Sequence, residues 1–328
     1  MHIGIITPAP PRSTHGNRIT ALRWARILKS LGHRVVILRE YEGERHDLLI
    51  ALHARRSYSS IRRFNKENPK LPVVVALTGT DLYRDLRKNK LARKSLEIAT
   101  RIVALQPNAL EELKPRWRRK TRVIYQSVEP VLGNQSPTKA SFDVCVVGHL
   151  RSVKDPFRAA MAARLLPPSS RIRILQIGHA MTPAMGKRAR AEVQRNHRYR
   201  WLGEKPRSRT LKTLAQSRLC VISSRLEGGA NVMSEAIVAS VPVLASRVAG
   251  NVGILGKDYP GLFLLGNSQQ LAQLLLRAEC DAKFLLRLKS RIKKLAPLFD
   301  PAREEKSWGD LLAELGHKQA QKTQKEFL

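Results

Sequence analysis

The fold is decided at residues 225–235, which read RLEGGANVMSE. Residues 219–223 precede this stretch, and they are short and β-branched enough for a buried parallel strand. Asn231 can cap a helix that runs through Val238, after which Val243–Ser246 returns as another strand. The stretch therefore predicts a strand, a glycine-containing turn, a helix and a further parallel strand.

This turn suits a bound phosphate. Gly228 and Gly229 let the backbone approach a ligand closely, and the amides of residues 230–233 would point out of the helix N-terminus. Glu227 and Glu235 flank the anion site, and their carboxylates can accept hydrogen bonds from sugar hydroxyls. The pattern predicts a sugar nucleotide. The alternative is a solvated turn residue at Glu227 and a first-turn helix glutamate at Glu235.

The same residues resemble the retaining glycosyltransferases of GT-B architecture. Their signature is a pair of glutamates eight positions apart, with glycines after the first and Glu-Ala after the second, which this chain matches with EGG at 227–229 and SEA at 234–236. The resemblance implies that Glu227 contacts the donor hexose and that Glu235 contacts the nucleotide ribose.

Length and composition favour a globular protein of two domains. The chain has 328 residues, of which 43% are hydrophobic, and no stretch approaches the roughly 18 uninterrupted apolar residues of a membrane span. Residues 1–7 read as a strand and not as a signal peptide, because no charged segment precedes them and prolines follow at once. We therefore expect a cytoplasmic protein without a membrane span.

Neither cysteine nor histidine spacing indicates a metal site. Cys145, Cys220 and Cys280 share no metal-ligand or redox spacing, and the first two fall in predicted buried strands. The chain also lacks the Asp-x-Asp pair that holds a diphosphate-bound metal in another glycosyltransferase architecture. We expect no cofactor and no metal, with the UDP-sugar as a substrate.

The formal net charge of +34 calls for anionic partners or a solvated basic surface. Lysines and arginines are spread along the whole chain, and only 5% of residues are aromatic, whereas a nucleic-acid protein would more often cluster its bases and offer stacking rings. We therefore expect no nucleic-acid partner. Anionic small substrates and a weak association with an anionic membrane remain as explanations of the charge.

Short apolar runs alternate with helix-like segments in both halves of the chain, and this alternation predicts doubly wound parallel sheets. The predicted strands of the first half are residues 2–7, 35–38, 48–52, 73–77, 102–105 and 123–125; those of the second half are 142–147, 172–177, 199–202, 219–223, 243–246 and 262–265. The predicted fold class is α/β, in a GT-B architecture of two Rossmann-like domains that face a cleft.

The predicted domain boundaries follow from breaks in this alternation. Residues 129–141 lack periodicity and read as an interdomain linker. We assign residues 1–139 to an acceptor-side domain and 140–299 to a nucleotide-sugar-binding domain. Residues 300–316 form a helix that returns to the first domain, and residues 317–328 form a basic tail that frays.

The loop after the first strand of the second domain can supply cations to a pyrophosphate. In the resembling family an arginine directly follows the loop glycine, and a lysine follows five residues later. Lys154 matches that lysine, whereas His149 stands in place of the arginine and Arg151 is displaced by two residues, so the second cation stays open between them. The catalytic candidates are Glu227, Lys154 and Arg151. The donor-binding candidates are Gly148, His149, Gly228, Gly229, Ala230, Asn231, Val232 and Glu235.

Further stretches resemble the selenosugar synthases of selenoneine biosynthesis. They are TPAPP at 7–11, HGNR at 15–18, ALHARRS at 51–57, ALTGTDLYRD at 76–85, YQSV at 125–128 and GHLRSVKDP at 148–156. The resemblance implies that selenophosphate attacks the anomeric carbon of a UDP-sugar such as UDP-N-acetylglucosamine, that UDP leaves, and that loss of phosphate yields a selenosugar. The hexose and the product anomer stay open.

The acceptor would bind at polar residues that follow the strands of the first domain. These candidates are Gly16, Asn17, Arg18, His53, Arg55, Thr78, Gly79 and Thr80. Two other functions stay open: a family-typical glycosyltransferase with a lipid or polysaccharide acceptor, and a nucleic-acid-binding protein that kept a glycosyltransferase scaffold.

Overall fold

The structure is a computed structural model that describes residues 1–130 and 141–326, with side chains described through residue 316. It divides into two compact units, Met1–Ser127 with Asp300–Leu328, and Val128–Phe299. The second unit begins and ends at adjoining residues, because the Val128 amide donates to the Phe299 carbonyl at 3.1 Å. The predicted domain boundary between residues 139 and 140, and most of the predicted linker, lie outside the described residues.

Unit 1 contains a six-stranded parallel sheet in the order β2-β1-β3-β4-β5-β6. Its strands are β1 (His2–Ile6), β2 (Arg34–Leu38), β3 (Leu48–Leu52), β4 (Val73–Leu77), β5 (Arg101–Ala104) and β6 (Thr121–Val123). All residues of β3 and β4 are buried, because alternate side chains enter the two hydrophobic clusters on opposite faces of the sheet.

Unit 2 contains a second six-stranded parallel sheet, in the order β12-β11-β10-β7-β8-β9. Its strands are β7 (Phe142–Val147), β8 (Ile172–Ile177), β9 (Tyr199–Trp201), β10 (Leu219–Ile222), β11 (Val243–Ser246) and β12 (Leu262–Phe263). The two sheets confirm the predicted α/β class with doubly wound parallel sheets.

Helices connect the strands of both sheets. They are α1 (Gly16–Ser30), α2 (Tyr58–Glu67), α3 (Leu86–Lys88), α4 (Lys90–Ile98), α5 (Pro115–Arg119), α6 (Arg158–Ala163), α7 (Pro183–Arg195), α8 (Arg207–Ala215), α9 (Asn231–Val238), α10 (Ala249–Leu255), α11 (Ser268–Cys280), α12 (Ala282–Lys293) and α13 (Pro301–Glu326). The first turn of α9 differs from the prediction, because Ala230 and not Asn231 occupies the N-cap position.

The predicted strands overlap the observed ones but differ at several ends, and the sixth, predicted at residues 123–125, is observed at Thr121–Val123. The last strand stops at Phe263, two residues before the predicted end, because the Leu264 amide turns to the Gln270 Oε1 acceptor at 2.6 Å. Cys145 and Cys220 are buried in their strands, as predicted, whereas Cys280 is exposed.

Helix α13 closes unit 1 by packing on α1. The Trp308 ring meets the Trp24 ring edge-on with centroids 4.8 Å apart, and both rings are fully buried. Beside them, buried Glu304 accepts hydrogen bonds from Trp24 Nε1 at 2.8 Å and from the Ser127 amide at 2.7 Å, and pairs with Arg23. Helix α13 thus completes a core whose other residues lie between Ile3 and Ile124.

The backbone of α13 remains helical through Glu326, whereas the sequence predicts a frayed tail from residue 317. The segment KQAQKTQKE at 318–326 consists largely of good helix formers, which accounts for the continuation. Among the described residues, no helix combines the length and the apolar character required to cross a membrane.

Candidate active site

The glycine turn between β10 and α9 holds Glu227 against Lys154. Glu227 is almost fully buried, and its Oε1 accepts hydrogen bonds from Lys154 Nζ and from Ser224 Oγ, the latter at 2.6 Å. Only about a fifth of the Lys154 side chain is exposed. The structure therefore joins two of the three predicted catalytic residues in one partly buried ion pair.

The backbone around Lys154 is fixed by hydrogen bonds to the end of β10. Ser223 Oγ donates to the Asp155 carbonyl at 2.9 Å, and the Arg225 amide donates to the Val153 carbonyl at 2.8 Å. Asp155 adopts a left-handed conformation with φ 43°, and its carboxylate accepts from Arg158 at 2.9 Å. The loop after β7 and the glycine turn are thus held together by contacts that a linear motif does not reveal.

A small pocket lies at the carboxyl ends of β7, β8 and β10. Its lining comprises Val146, Val147, Gly148, Lys154, Pro156, Gln176, Val221, Ile222, Ser223, Ser224, Glu227 and Val232. Gln176 is fully buried, and its Nε2 donates to the Gly148 carbonyl at 3.2 Å, while its Oε1 has no partner within the described chain. The pocket therefore combines a cation, a carboxylate and an unused amide oxygen.

Two glycines that the sequence analysis did not select allow close backbone packing at this pocket. A Cβ at Gly250 would lie 1.9 Å from the Glu227 carbonyl oxygen, and one at Gly178 would lie 2.1 Å from the Gly148 carbonyl oxygen. Gly178 also has a φ of +148°. In contrast, Gly228 and Gly229 are not among the described glycines with positive φ. Glycine is therefore not required at these two positions by a left-handed backbone.

The N-terminus of α9 has no side-chain cap. Ala230 offers no side-chain acceptor, and the Ser234 hydroxyl donates to the Asn231 carbonyl at 2.9 Å. The Met233 amide already donates to the Ala230 carbonyl at 2.8 Å, so the expectation that it points freely out of the helix was wrong. The Val232 amide makes no hydrogen bond within the described chain and belongs to a residue that lines the pocket. This amide remains available to an anion.

Glu235 lies in the first turns of α9 and pairs with Arg207, the first residue of α8. Arg207 Nη1 donates to Glu235 Oε1 at 2.7 Å; the carboxylate side chain is 5% exposed and the arginine side chain 45% exposed. A cation at a helix N-terminus opposes the macrodipole, so helix stability does not explain Arg207. Arg207 was not among the predicted site residues, because the chain has many arginines and the local sequence does not distinguish this one.

The other donor candidates lie on the loop after β7. His149 Nδ1 accepts a hydrogen bond from the His179 amide at 3.2 Å, which uses one ring nitrogen inside the loop. Arg151, two residues after His149, is exposed. A Cβ at Gly148 would meet the Lys154 methylenes at 3.9 Å, an ordinary packing distance. His149 and Arg151 both lie on the loop that carries Lys154.

In unit 1, the buried side chain of Asp81 holds two of the acceptor candidates, Thr78 and Gly79. Asp81 Oδ1 accepts the amides of Thr78 at 2.9 Å and Gly79 at 2.8 Å, and Asp81 Oδ2 accepts the Ala54 amide at 3.0 Å. Thr78 and Gly79 are predicted acceptor residues, and Asp81 already uses their backbone amides.

His53 and Arg55 belong to the same network. His53 has φ 75° and is buried, with Nε2 3.1 Å from Thr80 Oγ1. Burial lowers the pKa of His53, and the neighbouring Arg56 and Arg55 act in the same direction. Arg55 Nε donates to Asp85 Oδ2 at 2.7 Å. The structure thus brings His53, Arg55 and Thr80 together, with the arginine already paired to a carboxylate.

The last three acceptor candidates open helix α1. Gly16 and Asn17 are its first two residues, and the preceding N-cap residue makes no side-chain cap bond. Arg18 is partly buried, and its Nε atom is buried without a hydrogen-bond partner in the described part of the chain. Arg18 is therefore the acceptor candidate with an unused donor. Within residues 1–130 and 141–316, no cluster of three or more metal-ligating side chains occurs.

Comparison with known proteins agrees with this architecture. The sequence pattern of the family described as "Glycosyl transferases group 1" matches residues 134–295. "Glycosyltransferase 1 domain-containing protein 1" from Xenopus tropicalis is 26% identical over 314 residues, which cover 86% of this chain and 89% of that protein.

Solved structures share the fold over nearly the whole chain. HepE of Anabaena, crystallised with UDP and glucose, is 16% identical with a TM-score of 0.76, over 96% of this chain and 100% of that one. Sucrose-phosphate synthase from Thermosynechococcus elongatus is 16% identical with a TM-score of 0.75, over 97% and 99%. The chain therefore has the GT-B fold, and its residues 134–295 are similar to the glycosyl transferases group 1 family.

Proposed function

We propose that this chain transfers a sugar from a UDP-sugar, and that the acceptor is selenophosphate. The observation that carries the donor half is the Lys154–Glu227 pair beside the uncapped N-terminus of α9. Lys154 and the Val232 amide would bind the diphosphate, because a helix N-terminus and a lysine both favour an anion. HepE, which shares the fold, was crystallised with UDP and with UDP-glucose, and this supports a UDP-sugar as donor.

The ion pair gives the donor site a simple sequence of events. When the diphosphate arrives, Lys154 gains a second anionic partner and binds Glu227 less tightly. The Glu227 carboxylate can then accept a hydrogen bond from a hexose hydroxyl. Glu235 accepts from the ribose hydroxyls, with Arg207 holding one carboxylate oxygen in place. Donor binding thereby replaces contacts that the protein makes with itself.

The selenium lone pair of selenophosphate forms a bond to the anomeric carbon, the bond from that carbon to the UDP oxygen breaks, and UDP leaves with the electron pair. Water then cleaves the selenium–phosphorus bond and releases phosphate and a selenol. An ionised selenium needs no general base, so the protein must chiefly hold two anions near each other. The resemblance of residues 7–18, 51–57 and 76–85 to selenosugar synthases supports this acceptor.

Arg18 is the residue on which the acceptor assignment can be tested. Its Nε lacks a hydrogen-bond partner among the described residues, whereas Arg26 on the same helix is exposed. We expect Arg18→Ala to raise the selenophosphate KM while leaving the UDP-sugar KM unchanged, and Arg26→Ala to change neither. Equal effects of both variants, or a loss of donor affinity in Arg18→Ala, would contradict the assignment.

The decisive experiment is product analysis. UDP-N-acetylglucosamine or UDP-glucose is incubated with selenophosphate and the protein, and mass spectrometry detects the selenosugar. The Lys154→Ala variant serves as the donor-site control. Release of UDP without a selenium-containing product would remove the selenophosphate proposal while leaving the UDP-sugar proposal intact.

A second acceptor class is favoured by the network around Asp81 and Asp85. Two candidate amides and Arg55 are already satisfied by these carboxylates, which leaves fewer free donors for a small trianion. A lipid or polysaccharide acceptor would not need them. Transfer of a labelled sugar to a polyprenyl phosphate or an oligosaccharide, with none to selenophosphate, would support this alternative.

A further inference from the structure

Helix α12 carries an unusual excess of positive charge. Between its first residue, Ala282, and its C-cap residue, Lys294, it has no acidic residue. Its bases, with the C-cap lysine, are all exposed: Lys283, Arg287, Lys289, Arg291, Lys293 and Lys294.

These six bases make no ion pair within the described chain, although other bases of unit 2 do. Arg277, shortly before the helix, pairs with Asp281 at 3.4 Å, and Arg207 pairs with Glu235 at 2.7 Å. The helix is held by Phe284, Leu288 and Ile292, which recur every fourth residue and are buried. Because the side of the helix with Phe284, Leu288 and Ile292 is buried, the six bases are exposed to solvent.

An apolar side chain lies among the bases. Leu286 is 65% exposed, the highest value among the large hydrophobic residues of the described chain. Lys283 and Lys289 lie three residues before and after it, and Lys293 lies seven residues after it, so helical spacing places all four on the same side. The outer face of α12, defined by these four residues, therefore combines three lysines with an exposed leucine.

Helix stability explains only part of this arrangement. Arg291, Lys293 and Lys294 in the last turn interact favourably with the helix dipole, but Lys283 in the first turn opposes it. A nucleic-acid backbone would use the lysines and would leave Leu286 without a partner. An anionic lipid surface uses both, because headgroups attract the lysines and the acyl boundary accepts the leucine.

We propose that the outer face of α12 binds the surface of a membrane that contains anionic lipids. The helix lies on that surface with its buried side attached to unit 2, as an interfacial helix does. This interaction goes beyond the transfer reaction, and it does not depend on which acceptor is used. It gives one part of the net charge of +34 a defined partner.

The test uses two variants of equal charge. The first is the triple variant Lys283→Gln, Lys289→Gln and Lys293→Gln on α12. The control is Lys187→Gln, Lys212→Gln and Lys257→Gln, three exposed lysines elsewhere on unit 2 that make no ion pair within the described chain. Binding is measured by co-sedimentation with vesicles of equal parts phosphatidylcholine and phosphatidylglycerol, and with pure phosphatidylcholine vesicles.

We expect the full chain to bind the anionic vesicles and not the neutral ones. The α12 variant should lose at least about tenfold in partitioning and the control less than about threefold. Calorimetric UDP affinity, measured in parallel, should be equal in all three proteins. Equal losses in both variants would show that only net charge matters, and absence of binding by the unaltered chain would equally overturn the proposal.

A second pair of variants separates membrane from nucleic acid. Leu286→Ser should weaken vesicle binding severalfold, whereas Leu165→Ser, at a residue that is 55% exposed on the same unit, should not. Retention on duplex DNA should be unaffected by Leu286→Ser. If Leu286→Ser leaves vesicle binding unchanged while the lysine variant loses DNA retention, the face binds nucleic acid and the membrane proposal fails.

Discussion

Arg207 Nη1 lies 2.7 Å from Glu235 Oε1, across 28 positions of sequence, and makes the arginine the neighbour of the carboxylate proposed for the ribose. Removal of the arginine should therefore act through Glu235. We expect Arg207→Ala to lower UDP affinity about fivefold, the scale of a partly exposed ion pair. It should lower affinity for 2′-deoxy-UDP less, since that ligand has fewer hydroxyls to offer Glu235.

Titration calorimetry with both nucleotides measures this difference. Arg209→Ala, an exposed position two residues later on α8, is the control and should leave both affinities unchanged. Equal losses for UDP and 2′-deoxy-UDP in Arg207→Ala would show that the arginine does not act through the ribose contact.

Gly250 should tolerate no side chain, whereas Gly309 should accept one. A Cβ at Gly250 would lie 1.9 Å from the Glu227 carbonyl oxygen, and a Cβ at Gly309 would meet no atom within 4 Å. We expect Gly250→Ala to cost about 1–3 kcal/mol in free energy of unfolding, with weaker UDP binding. Gly309→Ala, inside α13, should gain about 0.5–1 kcal/mol. Thermal unfolding should show midpoint shifts of opposite sign, and a stable Gly250→Ala protein with normal UDP binding would contradict the packing.

Glu304 should stabilise unit 1 much more than its neighbour Glu305. Glu304 is buried and serves Arg23, Trp24 and Ser127, whereas Glu305 contacts the exposed Ser30 hydroxyl at 2.8 Å. We expect Glu304→Ala to lower the free energy of unfolding by about 3–5 kcal/mol, because a buried guanidinium and an indole N–H lose their acceptor. Glu305→Ala should change it by less than about 0.5 kcal/mol. Comparable losses in denaturant unfolding would refute the role of the buried carboxylate.

A single thiol should react in the native protein. Burial raises the pKa of Cys145 to about 12, and burial likewise raises the pKa of Cys220, so neither forms a thiolate near pH 8. Cys280 is exposed. We expect Ellman's reagent to label one thiol rapidly and all three only after denaturation. The Cys280→Ser variant should lose the rapid phase, and rapid labelling that persists in it would contradict the burial.

The sequence was a good guide where local composition sets the structure. The run VVVAL at Val73–Leu77 predicts a strand buried on both faces, and the structure places it there. Strand ends were less predictable, since the end of β12 depends on the side chain of Gln270. The resemblance at Glu227, Glu235 and Lys154 predicted a donor motif, and the structure places Lys154 against Glu227.

Contacts between distant segments could not be derived in this way. The neighbouring sequence does not distinguish Arg207 or Gly250 from the other arginines and glycines. Arg207 matters because it contacts the Glu235 side chain, and Gly250 matters because it packs against the Glu227 carbonyl. The hydrogen bonds from the Thr78 and Gly79 amides to Asp81 could, however, have been predicted from the sequence. Asp81 directly follows the Thr-Gly-Thr turn, and a short aspartate side chain can accept hydrogen bonds from neighbouring backbone amides.

The path of the chain through the two units has a consequence for synthesis on the ribosome. Unit 2 is bounded by Val128 and Phe299, so all of it emerges before α13 does. Until then Trp24 lacks Trp308, and the Arg23 guanidinium lacks Glu304. Helix α1 is therefore translated before unit 2 but reaches its native core after it, and nascent chains stalled before residue 301 should expose the α1 surface to chaperones while unit 2 is already folded.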